Sequence, residues 1–270
     1  MKVISILGCG WLGLPLAERL VQQGHAVKGS TTTPDKIDLL NRKNIAPYLV
    51  NCSAQCQGPQ LNEFFDADVL VITLPFRRNL EDPAFYYTQI KSIADYAAQA
   101  KTSFVIFTSS TSIYPSTIAQ AVEDVDWQPD NPRSQVLFDI ERLLLENKNF
   151  DATIIRLAGL YGGNRRIGQF LSGKTDLPNP DSPVNLIHQD DVVGIIAEVI
   201  KQDIRHEILN ACSDAHPTRR ALYTKAADAL GLPPPVFTEK DAGAIKIVSN
   251  KKLKERLRYA FKYPDPSRFA

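Results

Sequence analysis

Gly8-Cys9-Gly10-Trp11-Leu12-Gly13 spaces its glycines as a backbone must to wrap a pyrophosphate. The first glycine permits a tight turn, the second lets the main chain approach the phosphates, and the third lets a helix pack on a sheet. An apolar run, Val3-Ile4-Ser5-Ile6-Leu7, precedes the motif, and Leu12, Leu16, Leu20, Ala17 and Val21 follow it at helical spacing. Strand, glycines and helix in that order mark a dinucleotide site. The helix start offers free N–H groups and the positive end of its dipole to the phosphates. Trp11 and Leu12 belong to the same turn and count among the binding residues. A glycine-rich turn without a ligand is the competing explanation.

Which dinucleotide fits depends on the end of the next strand pattern, 25–30. An NAD site usually carries an acid there, about 20 residues beyond the glycines, to hold the ribose hydroxyls. This chain has Gly29-Ser30-Thr31-Thr32-Thr33, and its nearest acid, Asp35, lies beyond Pro34. A carboxylate would repel a 2′-phosphate, whereas hydroxyls and a cation accept one. Ser30, Thr31, Thr32 and Lys36 supply such groups, while strand alternation turns Lys28 the other way. The reading is NADP in preference to NAD, with no arginine to make the preference strict.

These groups need a scaffold. Helical patterns at 34–43, 83–101 and 133–147 alternate with strand patterns at 45–50, 68–74, 103–108 and 152–157. Leu74, at the end of the strongest strand signal, is expected beside the cofactor. Such alternation implies right-handed crossovers and a sheet wound in both directions. The expected fold is α/β: a Rossmann doubly wound parallel sheet with helices on both faces and a smaller C-terminal substrate lobe. The dinucleotide domain is placed at 1–161, its sheet completed by about 184–212. The discontinuous lobe is placed at 162–183 and 213–270. Within it a helix is expected at 218–230, a short strand at 236–238 and a basic helix at 251–257.

Composition bounds the function. Lys+Arg 31 against Asp+Glu 30 leaves a net charge of +1, without the basic excess of nonspecific nucleic-acid binding. Hydrophobic residues at 44% and charged residues at 23% exclude intrinsic disorder. A chain of 270 residues buries roughly 75% of its unfolded surface, so no staple is required. No apolar run nears the ~20 residues of a membrane span. Too few apolar residues precede Cys9 for a lipoprotein signal. Cys9, Cys52, Cys56 and Cys212 form no C-x-x-C pair and lack the partners of a zinc site. They read as four reduced thiols in a cytoplasmic protein, and no metal is expected.

Four further segments share their pattern with a known family. They are Phe107-Thr108-Ser109-Ser110-Thr111-Ser112-Ile113-Tyr114, Arg156-Leu157-Ala158-Gly159-Leu160-Tyr161-Gly162, Asn185-Leu186-Ile187-His188-Gln189-Asp190-Asp191-Val192 and Leu209-Asn210-Ala211. With the glycine motif, they are spread over nearly the whole chain. The sequence resembles the extended short-chain dehydrogenase/reductase superfamily, in its NAD(P)-dependent epimerase/dehydratase group. Within that group it looks most like the atypical YeeZ-like branch. The resemblance implies a catalytic Ser or Thr at the end of a central strand and a Tyr-x-x-x-Lys on the following helix. Ser110 matches the serine position. Glu141 matches the helical glutamate that follows the Tyr-x-x-x-Lys segment, which puts Arg133 at the tyrosine position and Leu137 at the lysine position. A family asparagine corresponds loosely to Gln89.

Neither replacement can do the original work. Arginine stays protonated, and leucine supplies no charge to lower a phenol pKa. A positioned general acid or base is worth about 10²–10⁴ in rate. Ordinary carbonyl reduction should therefore fail unless another donor serves. Tyr114 and Tyr161 are the candidates, against core packing as the prevailing explanation of each; Tyr86 and Tyr87 fit helix packing better. Ser110 can orient a carbonyl or simply bond to backbone.

By the same resemblance, Arg165, Arg166 and Lys174 sit where relatives hold a substrate diphosphate, with Arg219 and Arg220 as further candidates. Bidentate guanidinium–phosphate pairing is the physical reason, and solvated surface is the alternative. His188 with Asp191 matches a motif that anchors a strand–helix junction. The implied partner is a small molecule, by analogy a nucleotide-sugar; a homodimer is also implied by analogy. Two functions stay open. One is an NAD(P)-dependent oxidoreductase or epimerase/dehydratase-like protein with a non-standard active site. The other is a non-catalytic NAD(P)-binding redox sensor or regulatory protein.

Overall fold

Short apolar runs that can be buried on both faces are what a parallel sheet requires. In the computed structural model, which describes residues 1–77, 81–239 and 245–268, those runs build the centre. The first half of the chain runs β1 (Val3–Leu7), α1 (Gly13–Gln22), β2 (Ala26–Thr31), α2 (Ile37–Arg42) and β3 (Ala46–Leu49). It continues through β4 (Asn51–Cys52), β5 (Cys56–Gln57), α3 (Leu61–Phe65), β6 (Val69–Ile72), α4 (Ala84–Gln99) and β7 (Phe104–Ser110). Then come β8 (Gln120–Ala121), α5 (Pro132–Leu145), β9 (Asp151–Leu157), β10 (Gly159–Tyr161) and β11 (Leu186–His188). The last elements are α6 (Gln189–Gln202), β12 (Ile208–Ala211), α7 (Arg219–Ala229), β13 (Ile247–Val248) and α8 (Lys251–Leu257).

Seven strands form one sheet in the order β12-β9-β7-β6-β1-β2-β3. Pairs β1–β2, β1–β6, β2–β3 and β6–β7 are all parallel. The chain winds outward from β1 to β3, restarts at β6 on the other side of β1, and ends at β12. This is the expected α/β Rossmann doubly wound sheet. Its direction reverses between β1 and β6, and such sheets bind ligands beyond the carboxyl ends of the strands at that reversal. Ile4, Ile6, the whole of β6 and Phe104 through Phe107 are fully buried, as strands covered on both faces must be.

Contacts divide the chain into two compact units. The first comprises Met1–Ile113, Asn131–Ile155 and Ile196–Ile208; the second comprises Tyr114–Asp130, Arg156–Ile195 and Leu209–Ala270. The expected boundary at 161 is thus corrected. The segment 114–130 leaves the first unit because β8 pairs with β13 and Glu123 accepts the Asn210 N–H at 2.7 Å. Residues 184–188, expected in the central sheet, instead give β11, which pairs with β10 in a separate ribbon. The Asn185 amide clamps that region, donating to the Lys246 carbonyl and accepting from the Val248 N–H. Tyr161, Ile167, Val184, Leu186, Leu222 and Ala226 form a buried cluster in the second unit. The strand expected at 236–238 is reduced to a single bridge, Leu177 with Phe237, after a run of prolines that lack N–H donors. The expected lobe also includes 240–244 and 269–270, which lie outside the described residues.

Cys52 and Cys56 stand opposite each other across the β4–β5 hairpin and are joined by a disulfide, which corrects the reading of four reduced thiols. A three-residue turn brings ladder positions together that no C-x-x-C or zinc spacing describes. Cys9 and Cys212 stay free. Burial pushes both thiols up to about 12, so neither is a nucleophile near neutral pH. Among the described residues no helix is long and apolar enough to cross a membrane, and no metal-binding cluster occurs.

Candidate functional site

The glycine motif forms the turn between β1 and α1. Gly8 has a φ of +104°, a conformation that side chains disfavour, and a Cβ on Gly13 would lie 2.1 Å from the Gly8 carbonyl oxygen. The helix therefore seats directly on the turn. Thr73, just past β6, donates its hydroxyl to the Leu7 and Gly8 carbonyls at 3.1 and 2.9 Å. Leu74 touches the same turn, and its carbonyl accepts the Tyr86 hydroxyl at 2.8 Å. Gly10 differs from its two companions: a Cβ there would meet nothing within 4 Å. Leu12, at the start of α1, makes no side-chain cap, and the first turn carries no acid. An uncapped helix start beside a glycine that faces open space suits a pyrophosphate. Cys9 and Leu12 are buried and Trp11 is half-buried, so they support the turn from below.

The end of β2 differs from expectation at two positions. Ser30 is buried, and its hydroxyl accepts the Gly8 N–H at 2.8 Å, so it shapes the turn. Thr31 accepts the Thr33 N–H at 3.0 Å and is spent on a local bend. Thr32 and Lys36 are exposed. Lys28 points away, as strand alternation requires, donating to the Glu63 and Asp66 carbonyls.

Ser110 ends β7, half-buried, with its hydroxyl donating to Ser112 Oγ at 2.9 Å and accepting the Ser112 N–H at 3.1 Å. Beside it, Ser109 donates to the buried Glu141 carboxylate at 2.6 Å, which ties β7 to α5. Helix α5 reads PRSQVLFDIERLLL and holds neither Tyr nor Lys. Leu137 is buried. Arg133 lays its guanidinium 3.9 Å from the centre of the Phe76 ring and donates to the Arg77 and Phe76 carbonyls at 3.1 and 3.4 Å. Phe76 stacks on Tyr86 in turn. Arg133 thus holds the segment after β6. Gln89 donates to the Cys52 carbonyl and serves the hairpin. Sequence reasoning missed Thr73, Ser109 and the Arg133 clamp, since nothing local in the chain announces their distant partners.

In the second unit both candidate proton donors are withdrawn from solvent. Tyr114 is 2% exposed; its hydroxyl donates to Asn210 Oδ1 at 2.9 Å and accepts from Arg156 at 2.7 Å. Arg156, itself buried, also lies over the rings of Tyr114 and Trp127. Tyr161 packs edge-on against His188 inside the apolar cluster. Burial raises the pKa of both phenols. Both phenols, expected as candidate proton donors, lie in the core of this unit. Arg165 and Arg166 are exposed beyond β10. Arg219 donates to the Pro178 carbonyl, and Arg220 pairs with Glu239. Asp191 grips the segment Tyr259–Tyr263, while His188 stacks on Tyr263 at 3.6 Å.

His188 Nδ1 accepts the Asp190 N–H at 3.1 Å and so must stay unprotonated there. Burial is the main cause that lowers the pKa of His188, and of His25 and His216. The unfolded chain takes up protons near pH ~6.5 that the folded chain resists. Stability is then full above that pH and falls as the pH drops through it. The urea midpoint is expected to be lower at about pH 5.5 than at about pH 7.5; equal midpoints would refute the assignment.

No family model matches the chain. Protein YeeZ of Escherichia coli K12 is 37% identical over 269 residues, which cover 98% of each chain. A short-chain dehydrogenase/reductase superfamily protein from Agrobacterium tumefaciens with bound NAD superposes with a TM-score of 0.78 at 16% identity. That match covers 99% of this chain and 95% of the other. UDP-N-acetylglucosamine 4-epimerase from Bacillus cereus superposes with a TM-score of 0.75 at 15% identity, covering 100% and 99%. At such identities the structures establish the fold, and the end-to-end sequence match establishes kinship: the chain belongs to the YeeZ family, on the fold of the extended short-chain dehydrogenases/reductases.

Proposed function

We propose that the chain binds a nicotinamide dinucleotide on the turn between β1 and α1, NADP in preference to NAD. The uncapped start of α1, with Gly10 open to solvent beside it, carries this reading. Backbone N–H groups at that start would hold the pyrophosphate, with Trp11, Leu12 and Leu74 as neighbours. With Ser30 and Thr31 already engaged, Thr32 and Lys36 are left to meet a 2′-phosphate. The bound nicotinamide would supply or accept a hydride. Ser110 would orient a substrate carbonyl through its hydroxyl. A nucleotide-sugar substrate rests on analogy with the UDP-sugar epimerase; Arg165 and Arg166, exposed in the second unit, carry the charge that pairs with a diphosphate. We place the protein in the cytoplasm.

A specific observation favours a second reading. Helix α5 holds neither Tyr nor Lys, and the Tyr114 and Tyr161 hydroxyls are buried. A protein built this way suits redox sensing without turnover. It would bind reduced and oxidised coenzyme with different affinities and consume neither.

Fluorescence titration with NADPH and NADH tests both readings. Lys36→Ala is expected to weaken NADPH about tenfold, or ~1.4 kcal/mol, and to leave NADH unchanged. An equal loss for both coenzymes, or none for either, would remove Lys36 from the 2′-phosphate site. Binding of neither coenzyme by the wild-type chain would end the proposal.

A further inference from the structure

The β4–β5 hairpin follows β3, the edge strand beside β2. Val50 donates its N–H to the Thr31 carbonyl at 3.1 Å, at the strand end that leads into Thr32. Two residues later Cys52 is bonded to Cys56, with their Cα atoms 3.9 Å apart. Both strands of the hairpin are pinned to α4. Gln89 donates to the Cys52 carbonyl, and Ser92 Oγ accepts the Cys56 N–H at 3.1 Å. Ala54 and Gln55 at the tip are exposed, while both cysteines lie beneath.

A disulfide stabilises mainly by restricting the unfolded chain, and least when the loop it closes is short. This one spans a sequence separation of 4, in a chain of 270 residues that needs no staple. What the bond does fix is the path from Thr31 to α4. We propose that Cys52 and Cys56 form a reversible thiol–disulfide switch that controls the adenosine end of the coenzyme site. The proposal rests on the coenzyme reading given above.

The reductant is a dithiol. Its thiolate attacks Sγ of Cys52, the less buried partner at 8% exposure against 3% for Cys56. The S–S bond breaks, and Cys56 leaves as a thiolate that takes up a proton. The second thiol of the reductant then displaces Cys52 from the mixed disulfide, and Cys52 is protonated in turn. Two electrons and two protons pass from the dithiol, which becomes a disulfide, to the cysteine pair. Without the bond, the hairpin is held by its short ladder, the Ser53–Gln55 turn and the bonds to Gln89 and Ser92. The Val50–Thr31 link loosens with it, and coenzyme affinity falls.

The test uses the full chain, oxidised or reduced with dithiothreitol, together with a Cys52→Ser/Cys56→Ser double variant. NADPH binding is followed by fluorescence and free thiols by alkylation mass shift. Reduction should expose the pair to alkylation and weaken NADPH about fivefold. The double variant should match the reduced protein whatever the redox buffer. Equal affinity in both redox states would overturn the switch and leave the coenzyme site standing. Loss of NADPH binding in every state would overturn both. Cysteines that stay alkylatable in oxidised thiol buffer would overturn the pairing itself.

Discussion

Gly10→Asp is expected to abolish coenzyme binding while the protein stays folded. A Cβ at this position has no neighbour within 4 Å, and Gly10 is not among the glycines with positive φ. The substitution therefore meets neither a clash nor a backbone barrier, and an acid near a helix start interacts well with its dipole. Stability should stay within about 0.5 kcal/mol of wild type. Binding should behave otherwise. The new carboxylate would stand where a doubly charged linker must approach the main chain. Juxtaposed like charges cost several kcal/mol, so about 3 kcal/mol, or a hundredfold in affinity, is a lower expectation. Thermal melting and NADPH titration of one variant separate the two effects. Undiminished affinity would show that the dinucleotide does not lie on this turn.

The second large effect is expected at Asp191→Ala. Asp191 is 0% exposed. Its Oδ1 accepts the Lys262 N–H at 2.7 Å and the Tyr259 hydroxyl at 3.1 Å, and its Oδ2 accepts the Tyr263 N–H at 2.9 Å. Removing the carboxylate leaves the Lys262 and Tyr263 N–H groups without their acceptor, each at a cost of ~1–3 kcal/mol, and leaves the Tyr259 hydroxyl with the Asp191 main-chain carbonyl at 3.3 Å. The sum should reach about 3–5 kcal/mol, among the largest effects of a single substitution. Urea unfolding reads the loss. Trypsin cleavage after Arg258 or Lys262 should appear in the variant before global unfolding, because the segment that stacks on His188 has lost its anchor. Wild-type stability in the variant would mean that the segment is held by its aromatic contacts alone.

The parts legible in the sequence are those with local causes. Glycines at 8, 10 and 13 answer geometric needs within one turn, and the apolar runs at β1, β6 and β7 announce burial by composition. Hydroxyl-bearing residues were harder to read, because a serine shows its chemistry but not its partner. Ser30 bonds to Gly8, 22 residues away, and Tyr114 to Asn210, 96 residues away. The absence of Tyr and Lys from α5 could be read directly, whereas the clamp that Arg133 makes on the Phe76 segment depends on tertiary packing. The disulfide was invisible for a related reason. Its spacing acquires meaning only once a three-residue turn is known to lie between its ends.

The division of the chain has a consequence for biogenesis. The first unit is assembled from three separated stretches, the last of which ends at Ile208. A ribosome delivers ~5–20 residues per second, so the nascent chain carries an incomplete sheet for several seconds after Ile155 has emerged. Until 206–207 arrive to accept from Ile154 and donate to Ala152, the β9 edge presents unpaired peptide groups. Pairings this far apart along the chain form slowly, so the open edge persists for at least as long as the intervening residues take to arrive.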